Sequence, residues 1–80
     1  RYLRIGISIE YRGNEEQTEE LKKREAQLKD IVITSVTTKS RAQLLSENGK
    51  ELLRREILNK INEVVDKPVQ NIFYTEFLVE

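Results

Sequence analysis

Tyr2-Leu3-Arg4-Ile5-Gly6-Ile7-Ser8-Ile9-Glu10-Tyr11 (residues 2–11) alternates without a break. Leu3, Ile5, Ile7, Ile9 and Tyr11 fall on one face, and Tyr2, Arg4, Gly6, Ser8 and Glu10 on the other. A period of two marks a half-buried strand, and β-branched Ile suits the pleated surface. Arg12-Gly13-Asn14 ends it. Gly13 tolerates a turn, and Asn14, with Gln17 three residues later, has the spacing of a helix N-cap and capping box. Glu15, Glu16, Glu19 and Glu20 then crowd the first turns, where the helix dipole favours negative charge.

Working outward, Leu21, Leu28, Ile31, Val32 and Val36 recur at helical spacing. Glu19–Lys23, Glu20–Arg24 and Glu25–Lys29 support one long helix, each i,i+4 pair contributing about 0.2–0.5 kcal/mol. Residues 31–38 are rich in β-branched side chains, yet the stripe runs on through them and predicts helix. Ser40 with Gln43 caps a one-turn helix carrying Ala42, Leu44 and Leu45. Ser46 reads as the next N-cap, with Gly49 in the first turn either allowing a close approach or merely tolerated. Leu53, Ile57, Ile61, Val64 and Val65 form the stripe of a second long helix, which stops near Asp66, ahead of Pro68.

Val69 to Glu80 reads as the second strand. Simple alternation puts Phe73, Phe77 and Val79 on one face, and Ile72, Tyr74 and Leu78 on the other. The expected core is Leu3, Ile5, Ile7, Ile9, Leu28, Val32, Leu53, Ile57, Ile61, Phe73 and Phe77. Apolar residues on both faces of the closing strand imply a second packing partner outside the chain. Tyr2 on the first strand, with Ile72, Tyr74, Glu76 and Leu78 on the last, are the candidate oligomer or partner contacts. The fold class is α+β in the order β-α-α-α-β, with two long helices and one short helix. Two long helices between the strands bring the chain back to the end it left, which favours an antiparallel pair. One domain spanning 1–80 accounts for the length.

Composition narrows the chemistry further. The chain has no His and no Cys, which removes imidazole and thiolate zinc sites, Ser-His and Cys-His pairs, and disulfides. No Ser-x-x-Lys occurs, and Gly6, Gly13 and Gly49 lie too far apart to cradle a phosphate. Most glutamates sit at helix starts or in charge pairs, and Lys22-Lys23-Arg24 reads as helix pairing. We therefore expect no enzyme, no catalytic residue, no cofactor and no metal. Fourteen Lys and Arg balance fourteen Asp and Glu, so a basic groove for nucleic acid is not expected either. No apolar run approaches the roughly 20 residues that cross a bilayer.

Several stretches, in order, resemble the periplasmic domain of the FliL family of flagellar basal-body-associated proteins. Arg1-Tyr2-Leu3-Arg4-Ile5-Gly6-Ile7-Ser8-Ile9-Glu10-Tyr11 resembles that family's first well-matched strand, an aromatic followed by Leu and alternating aliphatics. Leu28-Lys29-Asp30-Ile31-Val32-Ile33 resembles its helix segment, with Thr37-Thr38-Lys39-Ser40 supplying the polar stretch ahead of Leu44-Leu45. Gly49-Lys50, then Leu52 or Leu53, Arg55-Glu56 and Ile61-Asn62 resemble its long helix. Val69-Gln70-Asn71-Ile72-Phe73-Tyr74-Thr75-Glu76-Phe77-Leu78-Val79 resembles its aromatic-Thr-Glu-Phe close.

The resemblance implies an SPFH-like (stomatin/prohibitin-type) fold, with a further strand and a membrane anchor upstream that would make the sheet three-stranded. It also implies a location at the periplasmic face of the bacterial inner membrane, in the flagellar basal body. The implied role is a homo-oligomeric ring associated with the stator proteins MotB and MotA, encircling the segment of MotB just outside the membrane, that supports stator activation, torque and swarming. Two other readings stand beside it: a small α/β ligand-sensing module, and a generic SPFH-type membrane scaffold without a flagellar role.

Overall fold

The computed structural model describes residues 2–80; Arg1, with which the first resembling stretch opens, lies outside them. Strand β1 (Leu3–Glu10) leads into helices α1 (Glu15–Lys23), α2 (Glu25–Thr37), α3 (Arg41–Leu45) and α4 (Gly49–Val64), and strand β2 (Asn71–Val79) closes the chain. Among the described residues the sheet is two-stranded, and β1 and β2 run antiparallel, as the helical return path predicts. The helical reading of residues 31–38 holds through Thr37.

The decisive feature is a shift in register. Leu3 faces Val79, Ile5 faces Phe77 and Gly6 faces Glu76, but the next pair is Ile7 with Tyr74. Thr75 is therefore an extra residue on β2, a β-bulge that puts Thr75 and Glu76 together opposite Gly6. A Cβ on Gly6 would overlap the Thr75 hydroxyl, so the glycine supplies the room the bulge needs.

The bulge corrects the strand faces read from alternation. A count of two through an inserted residue changes face at that residue. Ile72 and Tyr74 before it, and Phe77 and Val79 after it, consequently share the inner face. Ile72 is fully buried at 0% exposure, while Phe73, expected inside, is 49% exposed. Leu3, also expected in the core, lies at the end of the sheet beyond the helices and is exposed. Ile5, Ile7 and Ile9 are inner-face residues but only half-buried.

The helices differ from the expected pattern in two places. The first long helix is broken at Arg24, whose backbone (φ −94°, ψ 10°) ends α1 and starts α2. Helix α4 begins at Gly49 rather than just after Ser46, and its N-cap Asn48 makes no side-chain cap bond. Ser46 instead ends α3, its hydroxyl donating to the Gln43 carbonyl at 2.8 Å. A Cβ on Gly49 would collide with the carbonyl oxygens of Gln43 and Leu44, so the close approach is real. The Ser40–Gln43 capping box on α3 forms with both of its bonds. At α1, Asn14 accepts from the Gln17 N–H at 3.2 Å, but the Gln17 side chain does not return the bond.

That side chain has another task. Gln17 is buried, and its amide donates to the carbonyls of Lys67 and Pro68. The Glu20 carboxylate accepts from the Asp66 N–H at 2.8 Å and from Arg24 Nε at 2.7 Å. Asn62 grips Val69 from both sides, accepting from its N–H at 2.8 Å and donating to its carbonyl at 3.1 Å. Together these bonds hold the turn between α4 and β2 against α1. One core results, built from Leu53, Ile57 and Ile61 of α4 with Leu21, Leu28, Val36, Leu44, Val69 and Ile72.

Ile72→Ala is expected to cost about 2–5 kcal/mol of unfolding free energy, as a large-to-small core change. Phe73→Ala, on the wet face, should fall within about 0.5 kcal/mol of the parent. Urea midpoints of the two variants check the assignment, and a larger loss at Phe73 would contradict it. Gly49→Ala should cost about 1–3 kcal/mol by forcing α3 away from α4, the opposite of the gain usual for alanine in a helix.

Candidate interaction surface

Helices cover one face of the sheet only. On the other, the even-numbered residues of β1 meet Phe73, Thr75, Glu76 and Leu78 of β2. Tyr2, Phe73 and Leu78 are 42%, 49% and 40% exposed, a loose apolar triad on a surface otherwise polar. Arg4 bridges Tyr2 and Glu76 at one end of this face. Its guanidinium lies 5.4 Å from the Tyr2 ring centroid and 3.3 Å from the Glu76 carboxylate. Both members of that ion pair are about half exposed, so it orders the surface more than it stabilises the fold.

The sequence-derived contact residues divide accordingly. Tyr2, Glu76 and Leu78 lie on the outer face, as expected. Ile72 and Tyr74 do not: Ile72 is core, and Tyr74 packs edge-on against Phe77 with ring centroids 5.0 Å apart. The Tyr74 hydroxyl donates to the Lys50 carbonyl at 2.8 Å, pinning β2 to the first turn of α4. Phe73 is the outer residue that alternation misses, and only the pairing of Gly6 with Thr75-Glu76 on the facing strand locates it.

Below Tyr74, Glu51 accepts bonds from Arg54 Nη2 at 2.6 Å and Arg55 Nε at 3.0 Å, and Arg54 also reaches Asn71 Oδ1. The Arg54 bond, with help from Arg55, holds the Glu51 carboxyl down at about 2. Burial pushes the Tyr74 phenol up to about 12. Both are struts between α4 and β2, and among the described residues no group of three acidic, His or Cys side chains could hold a metal.

A second concavity lies beside β1. An open groove of about 830 Å³ runs between Ile5, Ile7 and Ile9 and the α1–α2 residues Leu21, Leu28 and Val32. Its lining also carries Ser8, Tyr11, Thr18, Lys22, Glu25 and Lys29, of which Tyr11 is bonded to Thr18 at 2.8 Å and Lys29 is paired with Glu25 at 3.7 Å.

The sequence profile described as "Flagellar basal body-associated protein FliL" matches residues 1–79, all but the last residue. The chain belongs to the FliL family. It is 30% identical over 80 residues to a protein named Flagellar protein FliL from Aquifex aeolicus (strain VF5), covering 99% of this chain and 49% of that one. It is also 32% identical over 76 residues to a Flagellar protein FliL from Bacillus subtilis (strain 168), covering 94% of this chain and 54% of the relative. The chain thus spans about half the length of these FliL relatives. Membership supports a flagellar, basal-body-associated role for this FliL domain. Among the described residues no helix is long and apolar enough to cross a membrane.

Tyr74 and Glu51 make the stability pH-dependent at both ends. A folded-state phenol raised above its ordinary value near 10 stabilises fully below pH 10, and that contribution is lost as pH rises towards 12. A depressed carboxyl does the reverse: the Glu51 contribution is present above about 4.5 and is lost as pH falls towards 2. Urea midpoints against pH should therefore fall less steeply above pH 10 in Tyr74→Phe, and less steeply below 4.5 in Glu51→Gln, than in the parent. Parallel curves for parent and variant would remove the corresponding strut from the account.

Proposed function

We propose that this domain is a non-catalytic, ring-forming scaffold at the periplasmic face of the bacterial inner membrane, built into the flagellar basal body. In this reading it adopts an SPFH-like arrangement, is held at the membrane by an anchor elsewhere in the protein, and rings the segment of MotB just outside the membrane in the MotA/MotB stator. Supporting the stator in its active state would raise torque and favour swarming. The observation that carries the reading is the uncovered outer sheet face, Tyr2, Phe73 and Leu78 around the Arg4–Glu76 pair. Exposed apolar side chains framed by a polar surface are what contact sites offer. Family membership then supplies the flagellar setting. A ligand-sensing module is less well supported, because the groove beside β1 is wide open and its Tyr11–Thr18 and Glu25–Lys29 pairs already satisfy one another.

The test is a charge placed on the outer face. Phe73→Glu in the flagellated host should leave the circular dichroism spectrum and unfolding midpoint of the purified protein unchanged. It should also reduce cross-linked multimers and shrink swarm rings. Normal swarming with an unaltered cross-linking ladder would show that this face makes no contact in the motor.

A further inference from the structure

We infer that Asn48-Gly49 is a gated deamidation site: the side-chain amide of Asn48 is held inert by the fit of α4 against α3, and is lost when that junction opens. This goes beyond the scaffold reading and rests on contacts made inside the chain, not on any uncovered surface.

The chemistry is that of an asparagine followed by a glycine. The Gly49 nitrogen attacks the side-chain carbonyl carbon of Asn48. A new N–C bond forms, the bond from that carbon to the amide nitrogen breaks, and ammonia leaves with the proton from Gly49. Water then opens the imide ring at either carbonyl. One product is aspartate at position 48; the other is its isoaspartyl isomer, in which the main chain runs through the side chain. The net change is hydrolysis of one amide, and water is the only co-reactant. Five asparagines occur, at positions 14, 48, 59, 62 and 71, and only Asn48 is followed by glycine, which has no side chain to shield the attacking nitrogen. The others precede Glu15, Lys60, Glu63 and Ile72.

The fold holds the reaction off through the backbone. Ring closure requires the Asn48 Cβ to eclipse the Gly49 nitrogen about the Cα–C bond. With ψ at 6°, the Asn48 backbone nitrogen takes that position, and Cβ stands about a third of a turn away. The Gly49 N–H, whose proton must leave, donates to the Ser46 carbonyl at 3.0 Å. Turning ψ would break the bond from the Leu52 N–H to the Asn48 carbonyl at 2.9 Å. It would also move Gly49, which is buried against the carbonyls of Gln43 and Leu44 with no room for a Cβ. The side chain itself is ready to react, being exposed and without a cap bond. Only the backbone is locked, and the lock is the α3–α4 contact.

Local opening of that contact, rather than global unfolding, therefore sets the rate. The two products then differ in effect. Isoaspartate adds a methylene to the main chain, so Gly49 cannot return to its place. The Lys50 carbonyl, one residue on, is drawn off the Tyr74 hydroxyl that binds it at 2.8 Å. Aspartate instead puts a carboxylate at the N-terminus of α4, where the helix dipole favours it.

Peptide mass spectrometry after incubation at mildly alkaline pH follows the exchange of amide for acid and separates the two products. Position 48 should react roughly tenfold or more slowly in the folded protein than in urea-unfolded protein, where it should outpace the other four asparagines. At the same low unfolded fraction, Leu44→Ala, which thins the packing under the junction, should react several-fold faster than Ile72→Ala, which empties the core at β2. The isolated isoaspartyl fraction should unfold at lower urea than Asn48→Asp. Equal rates in folded and unfolded protein, a faster site elsewhere, equal rates in the two variants, or an isoaspartyl fraction no weaker than Asn48→Asp would each overturn the gating.

Discussion

Opposite Gly6, β2 carries two residues, Thr75 and Glu76, and the inner face exists as one continuous apolar surface because of it. A strand without the insertion could bury either Ile72 and Tyr74 or Phe77 and Val79 against the helices, not both sets. The bulge rephases the strand midway, so all four meet the same helical layer. The glycine on β1 is its other half, since any side chain there would occupy the space of the Thr75 hydroxyl. Phe73 and Leu78 are left on the outer face as a consequence, and the candidate contact surface is the complement of the core.

The sheet so phased is held at its far end by polar bonds rather than by more apolar contacts. Pro68 cannot donate, and the chain around it turns sharply from α4 into β2. Its free groups are met by Gln17, Glu20 and Asn62, each on a helix and each aimed at backbone. A buried amide left without these partners would be costly, and with them it fixes where β2 starts. Start and bulge together set which residues of β2 face solvent, the link from packing to the proposed contacts in the motor.

Much of this was legible in the sequence, and the gaps have identifiable physical causes. The alternation of β1, the stripes of α2 and α4, the Ser40–Gln43 cap and the antiparallel return follow from local periodicity. The bulge does not, because Thr75 looks like any strand residue until its pairing to Gly6 is known. Counting through it put Ile72 and Tyr74 outside and Phe73 inside. The break at Arg24 is likewise tertiary: its helical propensity is good, and the Arg24–Glu20 pair and the Asp66 N–H held by Glu20 bind the bend to the distant turn. Ser46 had the right chemistry for an N-cap, but Gly49 lets α4 begin tight against α3. On the surface, Tyr2, Glu76 and Leu78 were correctly placed outside by residue type and phase, since Leu78 lies beyond the bulge on the side alternation gave it.

Family membership sets the flagellar context, and the phasing of β2 decides which residues can serve it. The most direct test of that phasing is the cross-strand pattern of nuclear Overhauser effects in the folded domain. The account predicts backbone proton contacts between Ile5 and Phe77 and between Ile7 and Tyr74, with no proton of Thr75 facing Ile7. An unbroken register, pairing Ile7 with Thr75 and Ile9 with Phe73, would contradict it.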